Sequence, residues 1–188
     1  MKQHLKKKLR LIIIFLAILL AIILVFDYAS MQLYPVKYRE LVQLYSEKFG
    51  IDPYLVFAII KTESNFQPKA ISPKNARGLM QISERTGKWG ADKLQLTDYT
   101  NEKLFDPETN INIGCWYLSV LYDEFNDTNL VLAAYNGGSG NVAQWLKDRD
   151  LSADGKTLDK IPFKETKQYL KKVDNNYSIY KKLYENEF

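Results

Sequence analysis

The sequence of 188 residues contains only one cysteine and one histidine, Cys115 and His4. A single cysteine cannot form an intramolecular disulfide, and the two residues are too few for a cysteine/histidine metal cluster. His4 also lies in front of a long apolar segment that separates it from the rest of the chain. These absences exclude catalysis by a Ser/His/Asp or Cys/His arrangement, and we expect neither a metal nor a cofactor.

Most of the chain also lacks an excess of positive charge. The formal net charge of +4 arises from 26 basic and 22 acidic residues. Residues 1–10 hold five of the basic residues and no acid, which leaves 21 basic and 22 acidic residues in the remainder. Because a nucleic-acid-binding domain carries a basic face, we expect no nucleic-acid partner.

Residues 11–26 form an apolar run without a single charge. These 16 residues would make about 24 Å of helix, against a bilayer core of about 30 Å, and the flanking basic side chains can reach the interface. We therefore predict a basic cytoplasmic tip (1–10), a single-pass transmembrane anchor (11–28), a stalk (29–35) and a domain (36–188) in the periplasm or cell-wall space. The alternatives are a buried core helix and a cleaved signal peptide, although Asp27 suits cleavage after Ala29 poorly.

Beyond the stalk, apolar residues recur with helical spacing, and no alternating pattern predicts a strand. Asp52-Pro53 and Asp106-Pro107 each combine an N-cap with proline at the first helical position. Thr128 is predicted to cap a further helix, which the glycines at 137, 138 and 140 end. The remaining predicted helices lie near 38–49, shortly after 78, at 141–147 and from about 163, with loops at 65–78 and 148–162. The sequence thus predicts an all-α domain.

Glu63 is the residue whose sequence position suggests a catalytic acid. Val56, Ile59 and Ile60 precede it at helical spacing, so its side chain shares a face with an apolar stripe. It also lies in the last helical turn, where the helix dipole disfavours an anion. Burial and the dipole would both raise the pKa of the carboxyl group, and a protonated acid near neutral pH can cleave a glycosidic bond. The alternative is a solvated helix end with no function.

Five short motifs occur in the same order and at similar spacing as in a known enzyme family. They are Glu63-Ser64, Gly78-Leu79-Met80-Gln81, Asn110-Ile111-Asn112-Ile113-Gly114 with Tyr117-Leu118, Ala134-Tyr135-Asn136-Gly137-Gly138, and Pro162-Phe163-Lys164-Glu165-Thr166 with Tyr169. Together they resemble the soluble lytic transglycosylase family over residues 36–180. The resemblance implies a lysozyme-like helical fold and an enzyme that cuts peptidoglycan.

The resemblance also implies roles for residues. Glu63 would be the single catalytic acid/base, with Ser64 orienting it. The other expected substrate-binding residues are Met80 and Gln81 lining a sugar cleft, Tyr135 and Asn136 across the cleft, and Glu165 and Tyr169 in a further block. Met80 and Tyr169 could instead be packing residues. Trp89 is the best exposed candidate for stacking on a sugar ring.

The implied reaction is non-hydrolytic cleavage of the MurNAc-GlcNAc β-1,4 bond, which leaves 1,6-anhydro-MurNAc ends. Most glycosidases pair two carboxylates. We find no second acid with an equivalent motif context, although Asp92 and Asp98 are available in the loop region. A hydrolytic, lysozyme-type muramidase is one alternative. The other is a non-catalytic peptidoglycan-binding module of a secretion or conjugation apparatus. The expected partners are peptidoglycan strands, the membrane, and a cell-wall or secretion machinery; the sequence does not indicate an oligomeric state.

Overall fold

The structure is a computed structural model that describes residues 2–185 and 187–188, apart from the side chains at positions 2, 5, 9 and 27. The chain divides into two compact units, Met1–Pro35 and Val36–Phe188. Within the described residues the structure is helical and has no β-strand, only isolated bridges that join Arg77 to Ile71 and to Ile82. The prediction of a mainly helical fold is confirmed.

The first unit is built on one long helix, α1 (Lys2–Leu33). Its stretch Lys6–Leu33 is long and apolar enough to cross a membrane, with a mean hydropathy of 3.3 and none of that window buried. A signal sequence near the N-terminus also meets these criteria, so they do not distinguish it from an anchor. The helix continues to Leu33 and therefore includes most of the predicted stalk.

The second unit contains seven α-helices and one short 3-10 helix among its described residues. They are α2 (Arg39–Phe49), α3 (Pro53–Glu63), α4 (Glu84–Lys93), the 3-10 helix Asn101–Phe105, α5 (Pro107–Phe125), α6 (Thr128–Gly137), α7 (Ser139–Trp145) and α8 (Lys164–Leu183).

Three of these helices begin at aspartate caps. Asp52 accepts a hydrogen bond from the Tyr54 amide at 2.8 Å, and Asp106 accepts one from the Thr109 amide at 2.9 Å, which confirms both predicted helix starts. The predicted cap of α6 was wrong by one residue. Asp127, whose carboxylate is the stronger acceptor, takes the amide of Leu130 at 2.9 Å.

Of the three glycines predicted to end α6, only one lies between this helix and the next. Gly138 alone has a positive φ, 90°, and it separates α6 from α7. Gly137 is the last residue of α6, and Gly140 lies inside α7. The short helix predicted at 141–147 therefore begins two residues earlier, at Ser139.

The core of the second unit surrounds α3. Residues 55–60 are all buried, so this helix is enclosed on every side. It packs against α8 and α2, while α5 packs against α2 and α6, and α6 also contacts α7 and α8. The ring of Phe57 stacks on that of Tyr180 with centroids 5.6 Å apart. Each large apolar side chain buried here contributes about 1.5–3 kcal/mol, and their sum holds the end of α3 in place.

Asn110 anchors the irregular segment that follows α3. Its side chain is fully buried, donates to the carbonyls of Arg77 at 2.9 Å and Leu104 at 2.7 Å, and accepts from the Met80 amide at 2.7 Å. Gly78 makes this approach feasible, because it has φ of 77° and a β-carbon there would overlap the Leu104 carbonyl and the Asn110 amide. Residues 78–81 are therefore fixed against α5.

The two glycines Gly78 and Gly50 offer a matched test of this packing. Both have positive φ, 77° and 66°, but a β-carbon at Gly50 meets nothing within 4 Å. We expect Gly50→Ala to lower the free energy of unfolding by about 1 kcal/mol, from backbone strain alone. Gly78→Ala should lose about 3 kcal/mol or more, because overlap adds to the strain. Denaturant unfolding measures both, and equal losses would contradict the close packing at Gly78.

Candidate active site

Glu63 is the last residue of α3, at the point where that buried helix reaches the edge of the core. Its side chain is half-buried. The pKa of its carboxyl group is raised from 4.5 to about 7, mainly by burial. The hydroxyl of Tyr169 opposes this rise, and the charge of Glu165 adds to it. At neutral pH the group therefore exists in both protonation states, as a proton donor and acceptor requires.

Tyr169 of α8 faces Glu63 from the neighbouring helix. It is only 6% exposed. Its hydroxyl has no hydrogen-bond partner of standard geometry among the described residues, but it interacts with the Glu63 carboxyl. Burial and then the charge of Glu63 raise the pKa of Tyr169 well above its usual value. The phenol therefore stays neutral and can donate to the carboxylate.

Tyr135 of α6 is the second phenol coupled to Glu63. Its hydroxyl donates to the Met80 carbonyl at 2.8 Å. Burial raises the pKa of Tyr135 well above its usual value, and the charge of Glu63 is the next largest cause. The same side chain thus links α6 to residues 78–81 and places a neutral, polar ring near the carboxyl group.

Ser64 joins the end of α3 to the same segment. Its hydroxyl donates to the Leu79 carbonyl at 2.7 Å and to the Ile60 carbonyl at 3.2 Å. That Ser64 helps to orient Glu63 stays a prediction. Both bonds of this hydroxyl go to backbone carbonyls, so Ser64 positions the 78–81 segment relative to the helix that carries Glu63.

Met80 and Gln81 were both expected to line the cleft, and only the expectation for Met80 is contradicted. Met80 is fully buried, because the missing side chain of Gly114 leaves space that the thioether fills. The prediction that Met80 lines an open cleft is corrected, and it belongs to the core. Gln81 has φ of 49°, and its side-chain amide donates to the carbonyls of Ala70 and Gly78. In this structure both residues shape the wall of the site.

Asn136 and Glu165 lie on either side of the junction between α6 and α8. Asn136 accepts a hydrogen bond from the hydroxyl of Thr166 at 2.8 Å, which holds the first turn of α8 against the end of α6. Glu165 is exposed and forms an ion pair with Lys74 at 3.4 Å. The structure therefore brings Glu63, Tyr135, Tyr169 and Glu165 together, with Ser64 and Asn136 in supporting positions.

A groove of about 740 Å³ is lined by residues of α4, α5 and the start of α7. Its aromatic members are Trp89, which is 42% exposed, and Tyr117. The ring of Tyr117 lies 6.3 Å from that of Trp89 and 5.6 Å from that of Tyr135. A row of rings thus leads from the groove to Tyr135. The sequence analysis proposed Trp89 but missed Tyr117 as a site residue, although Tyr117 belongs to one of the quoted motifs.

The polar lining of this groove was also missed. It includes Arg85 of α4 and Glu124 of α5, both of which act on the pKa of Tyr117. No local motif marks these two residues, since only the packing of α4 on α5 brings them to the same ring. Asp92, one candidate for a second carboxylate, lines a separate pocket of about 370 Å³ with Leu96 and Tyr99. Among the described residues, no three His, Cys, Asp or Glu side chains are grouped to hold a metal.

Comparisons with known proteins agree with this geometry. Residues 40–157 match the family described as Transglycosylase SLT domain. The soluble lytic murein transglycosylase of Escherichia coli K12 is 37% identical over 143 residues, which cover 74% of this chain and 22% of that protein. The membrane-bound lytic murein transglycosylase C of Serratia proteamaculans is 35% identical over 175 residues, covering 78% of this chain and 47% of the relative. The chain thus spans less than half the length of these curated relatives.

Solved structures give the same result. The 70-kDa soluble lytic transglycosylase of Escherichia coli superposes with a TM-score of 0.75 at 34% identity. The match covers 83% of this chain and 26% of that chain. An inactive mutant of the lytic transglycosylase Slt from Pseudomonas aeruginosa gives a TM-score of 0.69 at 34% identity, over 79% of this chain and 24% of its own.

The raised pKa of Glu63 predicts a pH-dependent effect of Glu63→Gln on stability. A carboxyl with a pKa of 4.5 when unfolded and about 7 when folded makes the fold lose stability as pH rises between these values. Glutamine has no such loss. We therefore measure the free energy of unfolding of both proteins at pH 4 and pH 8. The difference, variant minus parent, should rise by on the order of 1–3 kcal/mol from the lower to the higher pH.

The control for this measurement is Glu47→Gln, because Glu47 is an exposed glutamate on α2. Its difference from the parent should not change with pH. If Glu63→Gln behaves like Glu47→Gln, the carboxyl of Glu63 is not held against the core.

Proposed function

The chain belongs to the transglycosylase SLT family, and from this premise we propose that it is a lytic transglycosylase of peptidoglycan. It cleaves the β-1,4 bond between MurNAc and GlcNAc without water and leaves 1,6-anhydro-MurNAc ends. The observation that carries the proposal is the half-buried Glu63. Its carboxyl group has a pKa of about 7 and lies near the neutral phenols of Tyr135 and Tyr169.

In the first step, Glu63 in its acid form donates a proton to the glycosidic oxygen. Burial supports this role, because a fully exposed carboxyl would be ionised at neutral pH. As the bond breaks, positive charge develops at the anomeric carbon. The 2-acetamido group of the sugar stabilises that carbon, and this substrate group takes the place of a second carboxylate.

In the second step, Glu63 acts as the base. Its carboxylate accepts the proton of the C6 hydroxyl of MurNAc while the oxygen of that hydroxyl attacks the anomeric carbon. Tyr169 supports this step, since its neutral hydroxyl can donate to the carboxylate form. The proton taken up at the end replaces the proton donated at the start, so the enzyme returns to its initial state.

Among the described residues, Glu165 is the carboxyl group whose charge raises the pKa of Glu63. Glu165 is exposed and paired with Lys74, so it is poorly placed to act as a desolvated nucleophile. This arrangement favours a mechanism with one acid/base residue. The groove with Trp89 and Tyr117 offers flat rings on which neighbouring sugars can lie.

The proposal includes attachment to the membrane by α1. The helix is apolar, exposed and long enough to span a membrane, and five basic residues precede its apolar part. The positive-inside rule then keeps residues 1–10 in the cytoplasm and puts the catalytic domain outside. One relative is itself named a membrane-bound lytic murein transglycosylase.

Digestion of sacculi with the purified full chain tests the reaction. We expect released muropeptides with anhydro ends, which are lighter than reducing ends by the mass of one water. Glu63→Gln should reduce the rate by about 10²–10⁴-fold or more, because it removes the acid/base group. It should still bind sacculi.

Mass spectrometry of the products and a sedimentation assay for binding give the two readouts. Reducing ends would identify a hydrolase. A parent protein that binds sacculi without releasing fragments would identify a binding module. Full activity of Glu63→Gln would remove Glu63 from the mechanism.

Thiol labelling tests the orientation of the chain. Cys115 is buried and burial raises the pKa of its thiol, so the natural cysteine should not react. A membrane-impermeant maleimide should label Lys156→Cys on intact cells, because this position is exposed in the catalytic domain. Lys7→Cys should react only after permeabilisation. Loss of the Lys7→Cys label from a shortened mature protein would indicate a cleaved signal peptide instead.

A further inference from the structure

Helix α8 carries a local excess of positive charge that the net charge of the chain conceals. Of the 21 basic residues that follow residue 10, six lie in α8, whereas only two of the 22 acidic residues do. All six are lysines, and they are Lys164, Lys167, Lys171, Lys172, Lys181 and Lys182. The acidic residues that balance them in the net charge lie elsewhere in the chain.

Four of these lysines form a row on the outer side of α8, here called the lysine stripe (Lys164, Lys167, Lys171 and Lys182). The helix packs with its other side on α3 and α6. The buried residues on that side are Thr166, Tyr169, Val173 and Tyr180. At about 100° per residue, the lysine stripe lies within about 60° of the direction that points away from them. Its four side chains are exposed, and the row is about 27 Å long at the rise of an α-helix.

No carboxylate of the described residues forms an ion pair with the lysine stripe. The two acids of α8 point to its flanks. Glu165 pairs with Lys74 at 3.4 Å, and Asp174 lines a pocket between α3, α5, α6 and α8. The residues between the lysines on the outer side are uncharged, and they are Gln168, Asn175 and Ser178. The charges of the lysine stripe therefore add up along the helix.

The stability of α8 accounts for only one end of the lysine stripe. Lys182 lies in the last turn, where the helix dipole favours a cation. Lys164 and Lys167 lie in the first turn, where the same dipole disfavours one. Lys167 and Lys171 are also four residues apart, a spacing at which like charges repel each other. These lysines thus destabilise the helix slightly, and an anionic partner would relieve their repulsion.

The lysine stripe fits a linear anionic polymer better than a membrane surface. A helix that lies on a membrane buries large apolar side chains beside its basic ones. In the described part of the chain, none of the exposed large apolar side chains belongs to α8. Lysine binds phosphate as a point charge, without the fixed geometry of an arginine fork. A polymer with a phosphate in every repeat can therefore contact several of the lysines at once.

We propose that the lysine stripe binds a cell-wall polymer whose backbone is a chain of phosphodiesters, which lies along α8. The choice of a wall polymer rests on the proposed function, because the location in the cell-wall space comes from there. The lysine stripe begins at Lys164, next to Glu165 of the candidate active site. A polymer attached to the wall would therefore hold the domain near glycan strands and raise their effective concentration.

Binding of a synthetic poly(glycerol phosphate) tests this proposal. The full chain is kept in an uncharged detergent, and the dissociation constant is measured by fluorescence anisotropy of the labelled polymer at increasing salt concentration. The double variant Lys167→Gln/Lys171→Gln should bind roughly three- to tenfold more weakly at low salt, because two phosphate contacts are lost. Its affinity should also fall less steeply with salt, since fewer counterions are released. Lys167→Arg/Lys171→Arg should bind like the parent.

The matched control removes the same charge from another helix. Lys88 and Lys93 are exposed lysines of α4. Lys88→Gln/Lys93→Gln should therefore leave the affinity and its salt dependence unchanged. A second control replaces the polymer by poly-glutamate of equal charge, which should bind more weakly to the parent than the phosphate polymer does.

Three outcomes would overturn the proposal for a phosphodiester polymer. They are an unchanged affinity in Lys167→Gln/Lys171→Gln, an equal loss in the α4 variant, and equal binding of poly-glutamate. A membrane surface would be the partner instead if the polymer did not bind and if phosphatidylglycerol nanodiscs, unlike phosphatidylcholine nanodiscs, protected these lysines from a water-soluble acylating reagent.

The binding result and the proposed reaction can fail separately. A parent protein that binds the polymer but releases no anhydro ends from sacculi would refute the reaction and leave the role of the lysine stripe standing. Anhydro ends without binding of the polymer would refute the lysine stripe alone.

Discussion

The free energy needed to ionise a carboxyl group against an apolar core governs the candidate active site. Helix α3 is enclosed by other helices along residues 55–60, so it needs no polar face of its own. Its last residue, Glu63, holds its carboxyl group at the edge of this core, and burial brings its pKa to about 7. The phenols of Tyr135 and Tyr169 remain neutral for the same reason. Desolvation thus gives one carboxyl group the capacity to donate and to accept a proton.

The site also depends on hydrogen bonds between side chains and backbone amides or carbonyls. Asn110 of α5, Ser64 directly after α3 and Tyr135 of α6 each form a hydrogen bond with the segment 78–81. Helices alone could not hold this segment, because it has no regular hydrogen bonding of its own. A buried polar group without a partner is unfavourable, so these bonds also select one conformation of the loop.

Several particular elements were predictable from the sequence, and others were not. The aspartates at 52 and 106 mark helix starts because a cap and a proline act within a few residues of chain. Thr128 was misjudged, since two neighbouring residues could cap α6 and only the backbone conformation selects Asp127. Met80 was placed in the cleft by its motif, yet its side chain fills the space beside Gly114. A motif identifies a segment, whereas the direction of each side chain depends on its neighbours.

The sequence by itself determined the helical class, the apolar N-terminal segment and the position of Glu63 at the end of a buried helix, because these follow from local spacing and composition. Only the tertiary structure decided which groups surround that carboxyl. Tyr135, Tyr169 and Glu165 lie 72 or more residues away along the chain, and Arg85 and Glu124 meet at Tyr117 through the packing of α4 on α5. Their proximity results from long-range packing, whose geometry depends on the whole set of helices at once, and no short stretch of sequence encodes it.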